Sequence, residues 1–197
     1  MRFPTYGQGI RDLLAERGEY FRNASMALAL ARIEAGIDGS LAEVGVWTGE
    51  TSVLLNAVRP DRTLHLFDTF SGFPNADISH TDTRFRDTSE SLVRSKLPAN
   101  AKVVTHPGYV PETLEDVRAE QFSFVLLDLD LYKPTAASLE FFYPRLSPGA
   151  YVFVHDYNNE ESDWACRRAV DEFLANKPEH LVEFADIWGS VAFRRVG

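Results

Sequence analysis

The chain has 197 residues, 45% of them hydrophobic and 25% charged, the balance of an ordinary globular protein with length enough to bury a core in one domain. A formal net charge of −9 argues against a nucleic-acid partner, which needs a basic patch for phosphates. Its single cysteine, Cys166, cannot close an internal disulfide, no run approaches the ~20 apolar residues of a membrane span, and MRFPTYGQGIRDLLAERGEYF lacks the apolar stretch of a signal peptide. The expectation is a cytoplasmic protein with neither membrane nor nucleic-acid partner, and a homo-oligomer is left open.

In chain order, residues 11–17 and 19–36 carry helical character, the second run being closed by Gly36 and Gly39. SLAEVGV (40–46) reads as a short buried strand and GETSVLLNAV (49–58) as a helix ended by Pro60. TLHLFD (63–68) is a second strand. The irregular stretch 69–89 exceeds an ordinary connection, which marks a functional loop or a partly mobile one. A helix near SESLVRSKL, a third strand AKVVTH (101–106) and a short helix around PETLEDVRAE follow. FSFVLLD, a helix near PTAASLEFFYPRL and AYVFVHD give strand, helix, strand, and SDWACRRAVDEFLANK (162–177) gives a long helix with Cys166 in its apolar pattern. The chain closes with HLVEFADIWGSVAFRRV, two strand-like runs joined by Ile187 to Ser190. The fold class is therefore α/β, a doubly wound, mostly parallel, Rossmann-like sheet over 40–197 with a C-terminal antiparallel hairpin, preceded by N-terminal helices over 1–39.

Open sheets of this kind bind ligands outside the carboxyl ends of their strands. The first strand runs into Glu43-Val-Gly45-Val-Trp-Thr-Gly49, a turn of the sort that brings backbone close to a ligand. A dinucleotide fingerprint needs a glycine where Trp47 stands, because the pyrophosphate approaches the backbone there. The turn suits instead a ligand without a pyrophosphate, such as an adenosine-bearing sulfonium cofactor, and Glu43 beside it would accept a cationic amino group. An NAD-dependent oxidoreductase is disfavoured by the same tryptophan. Asp68 ends the second strand, where an acid accepts ribose hydroxyls or caps the next helix. Gly108 and Tyr109, after the third strand, are expected walls of an adenine pocket, ordinary packing being the alternative for Tyr109. Asp128 and Asp130 end the fourth strand and His155 and Asp156 the fifth, so parallel neighbours would gather acids and a histidine at one edge, able to hold a divalent metal, a substrate hydroxyl, or both.

EVGVWTGETSVLL, LFDTFSGFP, FRDTS, PGYVPETL, LLDLDLYKPTAASLEFFYPRLSPGAYVFVHDY and CRRAVDEF, in this order, resemble the macrocin O-methyltransferase family from about Leu41 to the C-terminus. The resemblance implies a class I methyltransferase fold and S-adenosyl-L-methionine-dependent methylation of a small-molecule hydroxyl, a sugar of a natural product. It implies that Glu43, Gly45 and Gly49 hold the amino-acid part of the cofactor and Asp68 its ribose. It implies that Asp128 binds magnesium and serves as general base, with His155 and Asp156 matching a pair that is usually Asp-Asp. The departure at His155 moves the expectation from magnesium toward manganese, iron or zinc, since magnesium prefers oxygen ligands, or toward His155 itself as the base. The expected metal ligands are Asp128, His155 and Asp156, and the expected catalytic residues Asp128 and His155. The chain before the glycine turn is short for this family.

Other residues read more plainly. Asp130 in D-L-D resembles the acid pair of nucleotide-sugar transferases, a reading the glycine turn and Asp68 oppose. Tyr132 reads as packing beside the site and His65 as a satisfied core or edge histidine. His80, Arg84 and Arg86 lie in the irregular loop as substrate contacts or solvated residues, and Trp164 and Trp188 as core before pocket lining. A non-catalytic cofactor-binding protein is the rival of another class, opposed by the retention of Asp128 and Asp156.

Overall fold

The computed structural model describes residues 20–33, 37–73, 83–186 and 188–197. Strands β1 (Ser40–Val44), β2 (Leu64–Asp68), β3 (Val103–Pro107), β4 (Phe122–Leu127), β5 (Leu146–Val154), β6 (Val182–Glu183) and β7 (Val191–Arg194) form one sheet in the order β3-β2-β1-β4-β5-β7-β6. β1 to β5 are mutually parallel, β7 is antiparallel to β5, and β6 is antiparallel to β7. The doubly wound order and the terminal hairpin are those expected. The direction of winding reverses between β1 and β4, and in open sheets that reversal opens a crevice at the carboxyl edge.

The central strands read as near-continuous apolar runs because both faces are covered, β4 being buried throughout. On one face, Met26, Leu30 and Ile33 from α1 (Tyr20–Arg32) and its C-terminal neighbour join Leu54 and Leu55 of α2 (Glu50–Val58) and Val93 of α3 (Glu90–Lys96). On the other, Leu139 and Phe142 of α4 (Tyr132–Phe142) pack with Cys166, Val170 and Phe173 of α5 (Ala165–Leu174). Cys166 is a fully buried core residue, and burial pushes its thiol up, so it is inert.

Several boundaries differ from the sequence reading. α1 ends at Arg32, and Gly39 serves β1 rather than a helix end: a Cβ there would stand 2.7 Å from the Phe122 carbonyl carbon. β5 begins at Leu146, upstream of the expected Ala150. α5 begins only at Ala165, because Asp163 and Trp164 adopt left-handed backbone that no helix continues. The expected helix over 11–17, Gly36, His80 and Ile187 lie outside the described residues. Among the described residues no helix is long and apolar enough to cross a membrane.

Candidate active site

Strand register builds the site. Val44 pairs with Phe67 on one side and Leu127 on the other, Leu127 pairs with Val154, and Asp68 pairs with Pro107. The next residues along therefore form a single row, Pro107, Asp68, Gly45, Asp128 and His155, across the carboxyl edge. A cavity of about 460 Å³ opens over this row, within the range of small-molecule sites. Non-glycine residues with left-handed backbone also gather at this edge: Trp47, Phe70, Phe85, Asp130, Asp156, Asp163 and Trp164 all lie in loops that follow strands β1, β2, β4 and β5. Strain of this kind persists where surrounding contacts over-determine it, and it clusters at functional sites.

The glycines of the turn meet protein first. Gly45 has φ +91°, and a Cβ there would sit 1.7 Å from the Asp128 carbonyl oxygen, so only glycine lets the end of β4 close on β1. Gly49 makes room for Val93 of α3, whose Cγ1 would lie 2.8 Å from an added Cβ. Gly45 lines the cavity, whereas Gly49, expected to hold the cofactor, packs against Val93 and is not part of the lining. Asp68 fastens the same turn: its Oδ2 accepts the amides of Val46 (2.7 Å) and Trp47 (2.9 Å), and its Oδ1 accepts that of Phe70 (2.7 Å). A carboxylate has about four lone-pair positions, so Oδ1 keeps room for one further donor. Gly108 and Tyr109 both line the cavity, Gly108 with φ +144°.

Glu43 is buried in β1 and accepts a hydrogen bond from Ser52 Oγ at 2.5 Å. Burial pushes its carboxyl up to about 8; the Ser52 bond pulls the other way, Asp128 and Asp68 push further, and Arg22 opposes them.

On the other side of the row, His155 Nδ1 stands 3.0 Å from Asp128 Oδ1 and 2.7 Å from Asp156 Oδ2. Asp156 Oδ1 accepts from Asn159 Nδ2 at 3.0 Å, and Asp128 Oδ2 accepts from Arg22 Nη1 at 3.4 Å. Burial alone would raise the Asp128 carboxyl, but His155 and Arg22 outweigh it and hold it below the usual range. Ligand atoms of Asp128, His155 and Asp156 all lie within 4.8 Å of one another. Asp130 lines the same cavity, and burial, then Asp156 and Asp128, push its carboxyl above the usual range.

The register thus brings together Glu43, Gly45, Asp68, Gly108, Tyr109, Asp128, His155 and Asp156. Two further residues enter that sequence reasoning had missed or set aside. Arg22 comes from the N-terminal helix, with no motif to announce it, and Asp130 was legible only as half of the D-L-D pair. Trp188 and Arg84 line the cavity, whereas Tyr132 bonds Glu172 away from it, and Trp164 is exposed beside α5. His65 is buried, with Nδ1 3.0 Å from His106 Nε2, the core histidine expected.

The sequence profile of the family described as Macrocin-O-methyltransferase (TylF) matches residues 21–195. The chain belongs to this family. Among curated proteins it is 32% identical to an 8-demethyl-8-(2,3-dimethoxy-alpha-L-rhamnosyl)-tetracenomycin-C 4'-O-methyltransferase of Streptomyces olivaceus, over 70% of this chain and 59% of that protein. It is 27% identical to a demethyldecarbamoylnovobiocin O-methyltransferase of Streptomyces niveus, over 88% of this chain and 76% of that one. It is 28% identical to a mycinamicin III 3''-O-methyltransferase of Micromonospora griseorubida, over 70% and 61%. The chain thus spans about three-fifths of the first and third of these relatives. In fold it is similar to the O-methyltransferase NovP, with TM-score 0.75 and 24% identity over 90% of this chain and 81% of that one. A calicheamicin methyltransferase gives TM-score 0.74 and 22% identity over 98% and 95%. The fold is that of the class I methyltransferases.

Proposed function

We propose that this protein is an S-adenosyl-L-methionine-dependent O-methyltransferase acting on a hydroxyl of a small molecule, a sugar of a natural product, with a divalent metal at Asp128, His155 and Asp156. The observation that carries the reading is the row itself: strand register puts the turn and Asp68 in one cavity with a cluster of proton acceptors. Family membership supports the reaction, and the rhamnosyl group in the name of one relative supports a sugar-bearing acceptor.

The residues present fit the cofactor. Glu43 would take its amino group beside Gly45, Asp68 has room for a ribose hydroxyl, and Gly108 and Tyr109 would flank the adenine. Bound there, the cofactor supplies a methyl group on a sulfonium, already activated. A neutral alcohol is a poor nucleophile, so the chain must align its oxygen and take its proton. Asp128, kept ionised, would take that proton, and His155, whose Nδ1 stands between two carboxylates, would take it only if it held no metal. Held in line with that methyl carbon, the hydroxyl oxygen would form its new O–C bond as the S–C bond breaks, the proton passing to the chain and no covalent bond forming to the enzyme.

The donor set also fits a metal. Neighbouring ligands on an octahedral ion with bonds of ~2.1 Å lie ~3 Å apart, and the two carboxylate oxygens stand 2.7 and 3.0 Å from His155 Nδ1. One nitrogen among oxygens suits manganese, iron or zinc better than magnesium, and it must be deprotonated to ligate. The ion would lower the pKa of the acceptor hydroxyl.

Calorimetry with S-adenosylhomocysteine and with NAD tests the cofactor: the first is expected to bind, and tight NAD binding without it would sink the reading. A manganese(II) titration is expected to find one site, lost in Asp128→Ala and Asp156→Ala. Full methyl transfer to an acceptor panel in excess chelator would refute the metal and leave His155 as the base.

A further inference from the structure

Trp47 ties the glycine turn to the segment 83–88. Its indole Nε1 donates to Asp87 Oδ1 at 2.8 Å, its carbonyl accepts from Thr88 Oγ1, and its ring meets Phe85 edge-on with centroids 5.5 Å apart. Its own amide donates to Asp68 at 2.9 Å. Beyond it, Phe85 packs edge-on against Phe73 at 5.2 Å, and the Arg84 guanidinium lies over both rings, 5.6 and 5.7 Å from their centroids. Trp47 and Phe85 hold left-handed backbone, φ 47° and 59°, a conformation that persists only where neighbours enforce it. The contacts between the two residues are those neighbours.

The two ends of this connection face different parts of one cavity. Val46, Trp47 and Asp68 line the cavity at the turn, and Phe73, Arg84 and Phe85 line it beside them, where Arg84 approaches Glu161 of the loop after β5 at 3.9 Å. Asp68 is the common element, since the carboxylate with room for one more donor also holds the Val46 and Trp47 amides. We propose that Trp47 is a positioning residue that couples occupation of the glycine turn to the placement of residues 83–88, so that a bound cofactor sets the wall the acceptor meets. This rests on the reading of the turn as the cofactor site. Such a coupling is reciprocal, and a bound acceptor would equally tighten cofactor binding.

Arg84 and Arg86 make the segment readable by trypsin, because cleavage of a folded chain tracks local opening. In the full-length protein, S-adenosylhomocysteine is expected to slow cleavage after Arg84 and Arg86. Asp87→Ala, Thr88→Val and Trp47→Phe are each expected to speed it about tenfold without ligand, the scale of one lost hydrogen bond to a charged or carbonyl partner, and to abolish the protection by S-adenosylhomocysteine. The calorimetric affinity for S-adenosylhomocysteine should fall in each of the three variants by the factor of protection it loses, as reciprocal coupling requires, and Asp87→Asn, which keeps an acceptor oxygen, should behave as wild type. Wild-type cleavage rates in the three variants, or a loss of protection with affinity unchanged, would overturn the coupling. Absence of binding by the wild type would remove the cofactor reading itself, which separates the two failures.

Discussion

At the scale of single residues, the site is governed by proton affinity as much as by position. Burial pushes the Glu43 carboxyl up to about 8, which favours its neutral form at neutral pH. A cationic amino group favours its ionised form, so ligand binding must release a proton below that value. The affinity for S-adenosylhomocysteine should therefore strengthen by up to about tenfold per pH unit from pH 6 to near 8 and then level off, as a single coupled proton requires. Calorimetry in buffers of different ionisation enthalpy would detect the proton released, and Glu43→Gln should abolish the slope. A flat profile in the wild type would remove Glu43 from the cofactor's amino end. An acid beside the glycine turn was legible in the sequence, and its protonation was not, since that depends first on burial in the assembled fold and then on the opposing effects of Ser52, Asp128 and Arg22. Arg22 itself could be found only once α1 was seen to lie over the row.

At the scale of elements, the β1–α2 turn is shaped by its neighbours. The motif pointed to glycines for the sake of a ligand, and the structure gives them a prior duty in packing β4 and α3 against the turn. Gly45→Ala must both adopt a positive φ and push back the Asp128 carbonyl, a backbone atom with little freedom to yield. It should cost about 3 kcal/mol or more in a denaturant titration and displace Asp128 and with it the proposed site. Gly49→Ala meets the end of a valine side chain and should cost roughly half as much. Equal losses at the two positions would contradict the close approach of β4. Strand identities and their parallel order followed from apolar runs alternating with helices. The start of α5 did not, because two consecutive left-handed residues, Asp163 and Trp164, carry no glycine to betray them.

At the scale of the whole molecule, two buried groups set opposing pH dependences of stability. His65 is pushed down to about 4 by burial first and by His106 beside it, with Glu120 opposing. Between 4 and its ordinary value of 6.5 the unfolded chain binds more protons there, so stability falls as pH drops through that window. Glu43 acts in the reverse sense: the folded chain binds more protons between 4.5 and about 8, so stability falls as pH rises. Between 4.5 and 6.5 the two slopes oppose, each bounded by ~1.4 kcal/mol per pH unit and that of His65 reduced by partial screening near the sheet edge. Urea unfolding should show stability rising with pH in Glu43→Gln and falling with pH in His65→Gln across this window. The same slope in both variants would refute the assignment. The histidine was readable as a core residue, but its charge behaviour depends on a partner in β3, and that partner in turn lies 3.0 Å from Asp116.

The sequence by itself determined the strands, the parallel order, the family and the residues at each strand end, because these depend on local periodicity and short motifs. Only the tertiary structure decided which of those ends meet. Register sets Gly45, Asp128 and His155 side by side, and a shift of one residue would turn a strand's side chains to the other face. Helix packing brings Arg22 onto Asp128, and the return of residues 83–88 onto Trp47 adds Arg84 and Phe85 to the cavity lining. Those contacts join residues up to 106 positions apart, and no local pattern encodes them.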